Sequence, residues 1–278
     1  MKNPASKVLE KGSKYFELIF SSFILPPSSF FIMSLAIVIL AAGKGTRMQS
    51  DLAKVLHPLS NKPLIAWVIE AAQQLSPDRI VVIVGHQADA VREAVDARFQ
   101  GVEFALQSEM RGTGHAVQQV EPLLKEFAGD IIVTCGDVPL LRGETMRDLL
   151  QSRRTTDAAA SMLIGVVDEP GSYGRVLCGE DGTVHQIIEA KDATPEVLAL
   201  KTVNSGTYCF DAALLWPQLA RLDVNNASGE LYLTDVIGFF TQNGERVSGT
   251  FISEREMTGI NTRAQLDELE IQLQAEQN

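Results

Sequence analysis

The sequence predicts an α/β fold: a mostly parallel sheet with helices on both faces, followed by a strand-rich second half. Three observations carry this. The run Leu35–Leu40 is apolar at every position, as in a strand buried on both faces. Further strand-forming runs follow at Ile80–Val84, Val102–Leu106 and Ile131–Thr134, separated by helix-length stretches that imply βαβ units. Beyond Asp157 the texture changes, and strand-like runs succeed one another with Gly/Asp turns between them.

Taken in order, the first thirty-three residues stand apart. "FELIFSSFILPPSSFFIM" is apolar, but Pro26 and Pro27 interrupt it well short of the roughly 20 residues that a spanning helix needs. No small-x-small cleavage site precedes the first strand, so a signal peptide is disfavoured. Residues 1–33 are expected to be a disordered extension, with the domain starting at 34. Helices are expected at Pro63–Leu75, Ala88–Phe99 and Thr113–Phe127 between the first four strands. The second half should contain strands at Ala159–Val167, Thr183–Glu189, Thr202–Phe210 and Val247–Phe251, with "GEDG" at Gly179–Gly182 turning a hairpin. Helices at Ala212–Leu222 and Glu230–Thr241 interrupt them. A last helix opens near Asn261, at an N-cap position, with Leu266, Leu269 and Leu273 at helical spacing.

At 278 residues and 45% hydrophobic side chains, the chain can bury a sizeable core. A formal charge of −11 argues against a non-specific nucleic-acid binder, whose affinity comes from clustered Lys and Arg. Cys135, Cys178 and Cys209 are scattered, without metal-ligand spacing. They suit reduced thiols in a cytoplasmic protein rather than a zinc site or a disulfide framework.

Ligands of open α/β sheets bind beyond the carboxyl ends of the strands. The loops at Gly43, Gly85, Gln107 and Gly136 should therefore face one crevice. "LAAGKGTRM" (Leu40–Met48) is neither a P-loop nor a dinucleotide fingerprint, because it lacks G-K-[ST] and the third glycine. What it offers is close backbone approach at Gly43 and Gly45 with two cations, Lys44 and Arg47, which is a grip for polyphosphate. The alternative is a solvated glycine-rich turn. "GDVPL" puts Asp137 at a strand's carboxyl end, where it can hold Mg²⁺ or cap the following turn. Gln107 can pair with a base edge, and the N–H groups near Gly112 and Thr113 can read base carbonyls. The same segment also reads as a plain helix start capped by Thr113.

Together, "LAAGKGTRM", "DLAKVLH", "QSEMRGTGHA", "GDVPL", "YGRV", "IIEAKDA", "VNSGTY", "NNASGELYLTD" and "GINTR" resemble, in order, the nucleotide-sugar pyrophosphorylases. The resemblance runs from Ser34 to the carboxyl end. Within that Rossmann-like family it is strongest to the amino-terminal halves of the bifunctional bacterial N-acetylglucosamine-1-phosphate uridyltransferases. It implies that Leu40, Ala41, Ala42 and Gly43 meet uridine, and that Gln107, Gly112 and Thr113 complete the uracil pocket. Lys44 and Arg47 would hold the β- and γ-phosphates, and Lys54 the reacting phosphate. Mg²⁺ would sit on Asp137 and Asn261, with Cys135 and Gly136 contributing backbone. Gly174, Glu189 and Asn204 would surround the amino-sugar.

The implied reaction joins UTP to N-acetyl-α-D-glucosamine 1-phosphate, releasing pyrophosphate, with Arg47, Lys54 and Asp137 as the catalytic set. A sister enzyme for another sugar or nucleotide, and a non-catalytic nucleotide-sugar-binding regulatory subunit, are the competing readings. Residues 34–255 would be the transferase domain and 256–278 a linker helix. The β-helix that acetylates glucosamine 1-phosphate in the bifunctional enzymes, and assembles them as trimers, is not encoded here, so a monomer without acetyltransferase activity is expected. His86, His115 and His185 are assigned structural or peripheral places.

Overall fold

The computed structural model describes residues 34–276. The expectation of a disordered amino-terminal extension lies outside them.

Nine strands form one sheet: β1 (Ser34–Ala41), β2 (Arg79–Val84), β3 (Val102–Leu106), β4 (Gly129–Cys135), β5 (Ala160–Val166), β6 (Arg175–Cys178), β7 (Val184–Ile188), β8 (Thr202–Asp211) and β9 (Val247–Ile252). The main path runs β9-β5-β8-β4-β1-β2-β3, and the β6–β7 hairpin attaches to β8. β1 pairs parallel with both β2 and β4, and β2 pairs parallel with β3. β8 lies antiparallel between β4 and β5, and β9 returns parallel to β5. On that path β8 alone runs against the rest, so the sheet is mostly parallel, as expected.

β1 is central because its sequence satisfies both faces. Ala36 to Ile39 are fully buried. The pleat sends Ala36 and Val38 into one core and Leu35, Ile37 and Ile39 into the other. Among the described residues six helices cover these faces, α1 (Leu64–Gln73), α2 (Ala88–Asp96), α3 (Thr113–Gln118), α4 (Gly143–Thr156), α5 (Ala212–Leu219) and α6 (Asp235–Gln242), while α7 (Arg263–Glu276) packs in a separate cluster.

Four local readings change. The stretch expected as one helix over Thr113–Phe127 breaks into α3 and a single turn at Glu121–Leu124, with Pro122 in that turn's first positions. The helix expected from Glu230 starts at Asp235. Its first residues are drawn out by Leu231 N donating to Arg111 O and Gly114 N donating to Leu231 O, both at 2.8 Å. α4 has no counterpart in the sequence reading, since its mean pattern is polar and only one side is covered. β6 was likewise absent, being four residues long.

α7 carries the next segment onto the site. Its Leu266 and Leu269, with Ile260, pack on Met48, Leu59 and Leu64 beside the glycine loop. Ser60 N donates to Glu270 at 2.6 Å, and Arg142 donates to Glu256 at 2.8 Å, pinning the approach from both ends. Among the described residues, no helix is long and apolar enough to cross a membrane.

Candidate active site

The carboxyl ends of β1, β2, β3 and β4 do converge. Gly136 N donates to Leu40 O at 2.9 Å, His86 N to Ala42 O at 3.1 Å, and Gln107 N to Val84 O at 2.8 Å. Between these ends opens a cleft of about 290 Å³ whose lining includes Leu40 to Gly43, Lys54, Gln107, Gly112, Thr113, Cys135 and Asp137. A larger groove of about 520 Å³ lies between Glu254 and α7, and none of its lining residues belongs to the expected substrate set.

Gly45 has φ +61°, and a methyl group there would lie 2.5 Å from Lys54 Cβ. The glycine loop therefore rests directly on the lysine. Gly45→Ala is expected to cost about 1–2 kcal/mol, from left-handed strain and collision together. It should also lower kcat by displacing Lys54. Thermal unfolding read beside turnover checks both.

Lys54 is the hub. Its ammonium pairs with Asp137 Oδ2 and lies 3.2 Å from Asn261 Oδ1. Arg47 donates to the same Asn261 oxygen at 2.9 Å. Ile260 N donates to Asp137 O at 2.9 Å, which brings the last segment to the tip of β4. Asp137 and Asn261 thus share one cation, although 124 positions separate them in the chain. Gln87, at φ +53°, holds the preceding loop by accepting from Ala53 N at 2.8 Å. Lys44 is exposed and has no hydrogen-bond or ion-pair partner among the described residues.

Asn261 does not cap α7. Thr262 does: its Oγ1 accepts from Gln265 N at 3.2 Å, while Gln265 Oε1 accepts from Thr262 N at 3.0 Å. This is a capping box. It leaves the Asn261 carbamoyl group free to face Lys54. Likewise Thr113 is no cap, since its hydroxyl accepts from Leu233 N at 3.1 Å.

The wall of the cleft around Gln107 is polar. Gln107 is 3% exposed, and its Nε2 donates to Gly112 O at 3.0 Å. The same nitrogen lies 3.2 Å from His115 Nδ1. The N–H groups of Gly112 and Thr113 find no acceptor among the described residues. Burial pushes the Cys135 thiol up to about 12, with the Asp137 carboxylate adding to it, so the thiol stays protonated.

On the far side, Gly174, Glu189 and Asn204 come together. A methyl group on Gly174 would lie 3.3 Å from Glu189 Oε2, and Asn204 N donates to Gly174 O at 2.9 Å. The pairing of β8 with β5 shifts register between Asn204 and Tyr208. Gly206 N and the Tyr208 hydroxyl both donate to Asn204 Oδ1, at 3.0 and 2.9 Å. The shift re-aims the strand at the site, as bulges do. Thr234 Oγ1 donates to Glu189 at 3.1 Å, yet burial holds this carboxyl above its usual range.

The sequence reading did not anticipate the surroundings of Gln87, His115 and Tyr173. Burial raises the Tyr173 hydroxyl, and the Asp137 charge adds to it. His115 and Tyr173 lie in quoted stretches and Gln87 does not, and all three make contacts that spacing does not encode.

Burial, then Asp223, Glu189 and Asp192, push Asp235 up to about 6. Its folded pKa is raised, so between about 4 and 6 the folded chain keeps a proton that the unfolded chain has shed. Stability is therefore lost as pH rises through that window. Asp235→Asn is expected to add roughly 1–2 kcal/mol at pH 8, tempered by partial exposure, and nothing at pH 3. Urea unfolding at the two pH values checks this.

Residues 37–226 match the model of the MobA-like NTP transferase domain, more than half the chain. The chain belongs to that family. As an NTP transferase, it shares 47% identity over 235 residues with "Bifunctional protein GlmU" of Geobacter metallireducens, across 84% of this chain and 49% of that one. It shares 45% over 242 residues with the protein of the same name in Exiguobacterium sibiricum, across 87% of this chain and 53% of that one. The chain spans about half the length of these curated relatives. A solved UDP-glucose pyrophosphorylase in complex with UDP-glucose superposes at a TM-score of 0.72 and 16% identity, covering 88% of this chain and all of that one. A putative glucose-1-phosphate thymidylyltransferase from Bacillus anthracis superposes at 0.66 and 20% identity, covering 86% and 94%. These two likenesses show that the fold is that of sugar nucleotidyltransferases.

Proposed function

We propose that this NTP transferase moves UMP from UTP to N-acetyl-α-D-glucosamine 1-phosphate, releasing pyrophosphate. The observation that carries the reading is that one ammonium, Lys54, touches both Asp137 and Asn261 inside the cleft that Gln107, Gly112 and Thr113 also line. The likeness to proteins named GlmU, over 84% and 87% of this chain, supports the choice of sugar and nucleotide.

The donor set fits a hard divalent cation. Asp137 gives a carboxylate and Asn261 a carbonyl oxygen, and positive charge already bridges them. Among the described residues no group of three or more His, Cys, Asp or Glu is arranged to hold a metal. That suits Mg²⁺, which typically takes one or two protein oxygens and fills its shell with phosphate and water. Asp137 and Asn261 would hold it, and it would supply neutralisation of crowded phosphate charge.

The chain's own residues do the rest. Backbone from Leu40 to Gly43 and the Gln107 wall seat the nucleoside. Lys44 and Arg47 engage the β- and γ-phosphates, Arg47 with a two-pronged guanidinium. Glu189 and Asn204 orient the sugar through its hydroxyl and acetamido groups. An oxygen of the sugar phosphate attacks the α-phosphorus, the bond from that phosphorus to the β-phosphate bridge oxygen breaks, and pyrophosphate leaves. A phosphate monoester has its second pKa near 6 and is already largely dianionic at neutral pH, so no general base is needed. Positioning and electrostatics lower the barrier. In this reading residues 34–255 are the transferase domain and 256–278 bring Asn261 to it.

Pyrophosphate release across a panel of nucleotides and sugar 1-phosphates tests the proposal. UTP with N-acetylglucosamine 1-phosphate should be the preferred pair. Preference for glucose 1-phosphate or dTTP would replace it with a sister activity, and binding without release would make the protein a sensor.

A further inference from the structure

Resting on the uridine reading above, we infer that His115 fixes base choice by locking the orientation of the Gln107 amide. Gln107 Nε2 has two N–H groups. The Gly112 carbonyl, 3.0 Å away, can only accept, so it takes one N–H and favours the nitrogen end of the amide facing it. His115 Nδ1, 3.2 Å away, takes the second N–H when it is the unprotonated nitrogen of a neutral imidazole. With both N–H groups spent, Oε1 is left to the cleft. It accepts no hydrogen bond from the described residues and is not among the buried unpartnered atoms, so it is open to a ligand.

The wall then presents a lone acceptor, Gln107 Oε1, with two unclaimed donors nearby, the N–H groups of Gly112 and Thr113. Uracil carries the matching edge: a single N–H donor at N3 between two carbonyl oxygens. Cytosine has a lone pair at N3 and an amino group at C4, which would put acceptor against acceptor and donor against donor. Such mismatches are where base and substrate discrimination is greatest, because buried polar groups are left unpaired. Without the Nδ1 lone pair only the Gly112 carbonyl opposes rotation, so the turned amide, which offers its NH₂ to N3 of cytosine, costs less to reach. His115 is therefore a positioning residue. It touches Gln107, and through that amide it sets which pyrimidine the cleft accepts.

The test is equilibrium binding of UTP and of CTP, without sugar phosphate, to the parent chain and to His115→Leu and His115→Asn. The parent is expected to prefer UTP. His115→Leu should shrink the UTP:CTP ratio about tenfold. His115→Asn, whose carbonyl oxygen can stand in for Nδ1, should restore it. A leucine variant that weakens both nucleotides equally, or an asparagine variant no better than leucine, overturns the inference. Ring ¹⁵N resonances of His115 in the parent provide a readout independent of any variant's folding: Nδ1 should be the unprotonated acceptor, and an Nδ1–H tautomer overturns it. UMP transfer, assayed separately, tells the two readings apart. A parent that selects UTP but transfers nothing sinks the catalytic reading alone, whereas normal transfer with an unchanged ratio in the leucine variant sinks this one alone.

Discussion

Asp137→Ala is expected to lower kcat/KM for UMP transfer by about 10²–10³-fold, the usual loss when one preorganised charge-stabilising group is removed from a site. The carboxylate has two tasks at the tip of β4. It holds the Lys54 ammonium in the cleft, and it is the charged half of the oxygen pair proposed for the divalent ion. Alanine ends both. The fold should survive, because the side chain is 13% exposed at a strand end and the backbone link from Ile260 N to Asp137 O does not depend on it. Pyrophosphate release beside thermal unfolding separates the effects: turnover collapses, while the melting temperature moves by no more than a few degrees, the equivalent of about 1 kcal/mol. Near-normal turnover in this variant would remove Asp137 from the catalytic set.

Lys54→Met is expected to move two observables in opposite directions. Turnover should fall by a similar factor of about 10²–10³, since the cation proposed to meet the reacting phosphate is gone. Divalent-ion affinity of the free protein should rise, because the ammonium that now bridges Asp137 and Asn261 no longer competes for those oxygens. Methionine keeps the apolar stem that packs under Gly45. In the double variant Lys54→Met/Asp137→Ala the losses should not add, as expected for residues that act as one unit. Titration calorimetry and steady-state kinetics on the same samples check both halves.

Much of the fold was legible because the hydrophobic pattern decides it. Leu35–Leu40 has no polar position, and only a strand covered on both faces wants that. Topology placed the loops after the first four strand runs together; backbone hydrogen bonds join them, and those at Gly43, Gln107 and Asp137 line one cleft while the Gly85 loop does not. α4 escaped because its sequence, Gly143–Thr156, is mostly polar and buries only one side. The helix start at Asp235 was misread because Glu230–Thr234 satisfies its backbone against Arg111 and Thr113, distant in the chain. Site residues followed the same divide. Gly43 and Asp137, picked out by type and position, line the cleft, whereas Lys44 is exposed outside its lining. Thr262 displacing Asn261 as the cap, and His115 facing Gln107, are settled by side-chain reach, which no periodicity records.

The account depends on Asp137 and Asn261 acting as one cation-holding pair. Mn²⁺, standing in for Mg²⁺ and followed by electron paramagnetic resonance in the presence of UTP, measures this directly. The parent chain should capture the ion together with the nucleotide. Asp137→Ala and Asn261→Ala should each weaken capture, and the double variant should leave only what UTP binds by itself. Capture in the double variant equal to that of the parent would contradict the account.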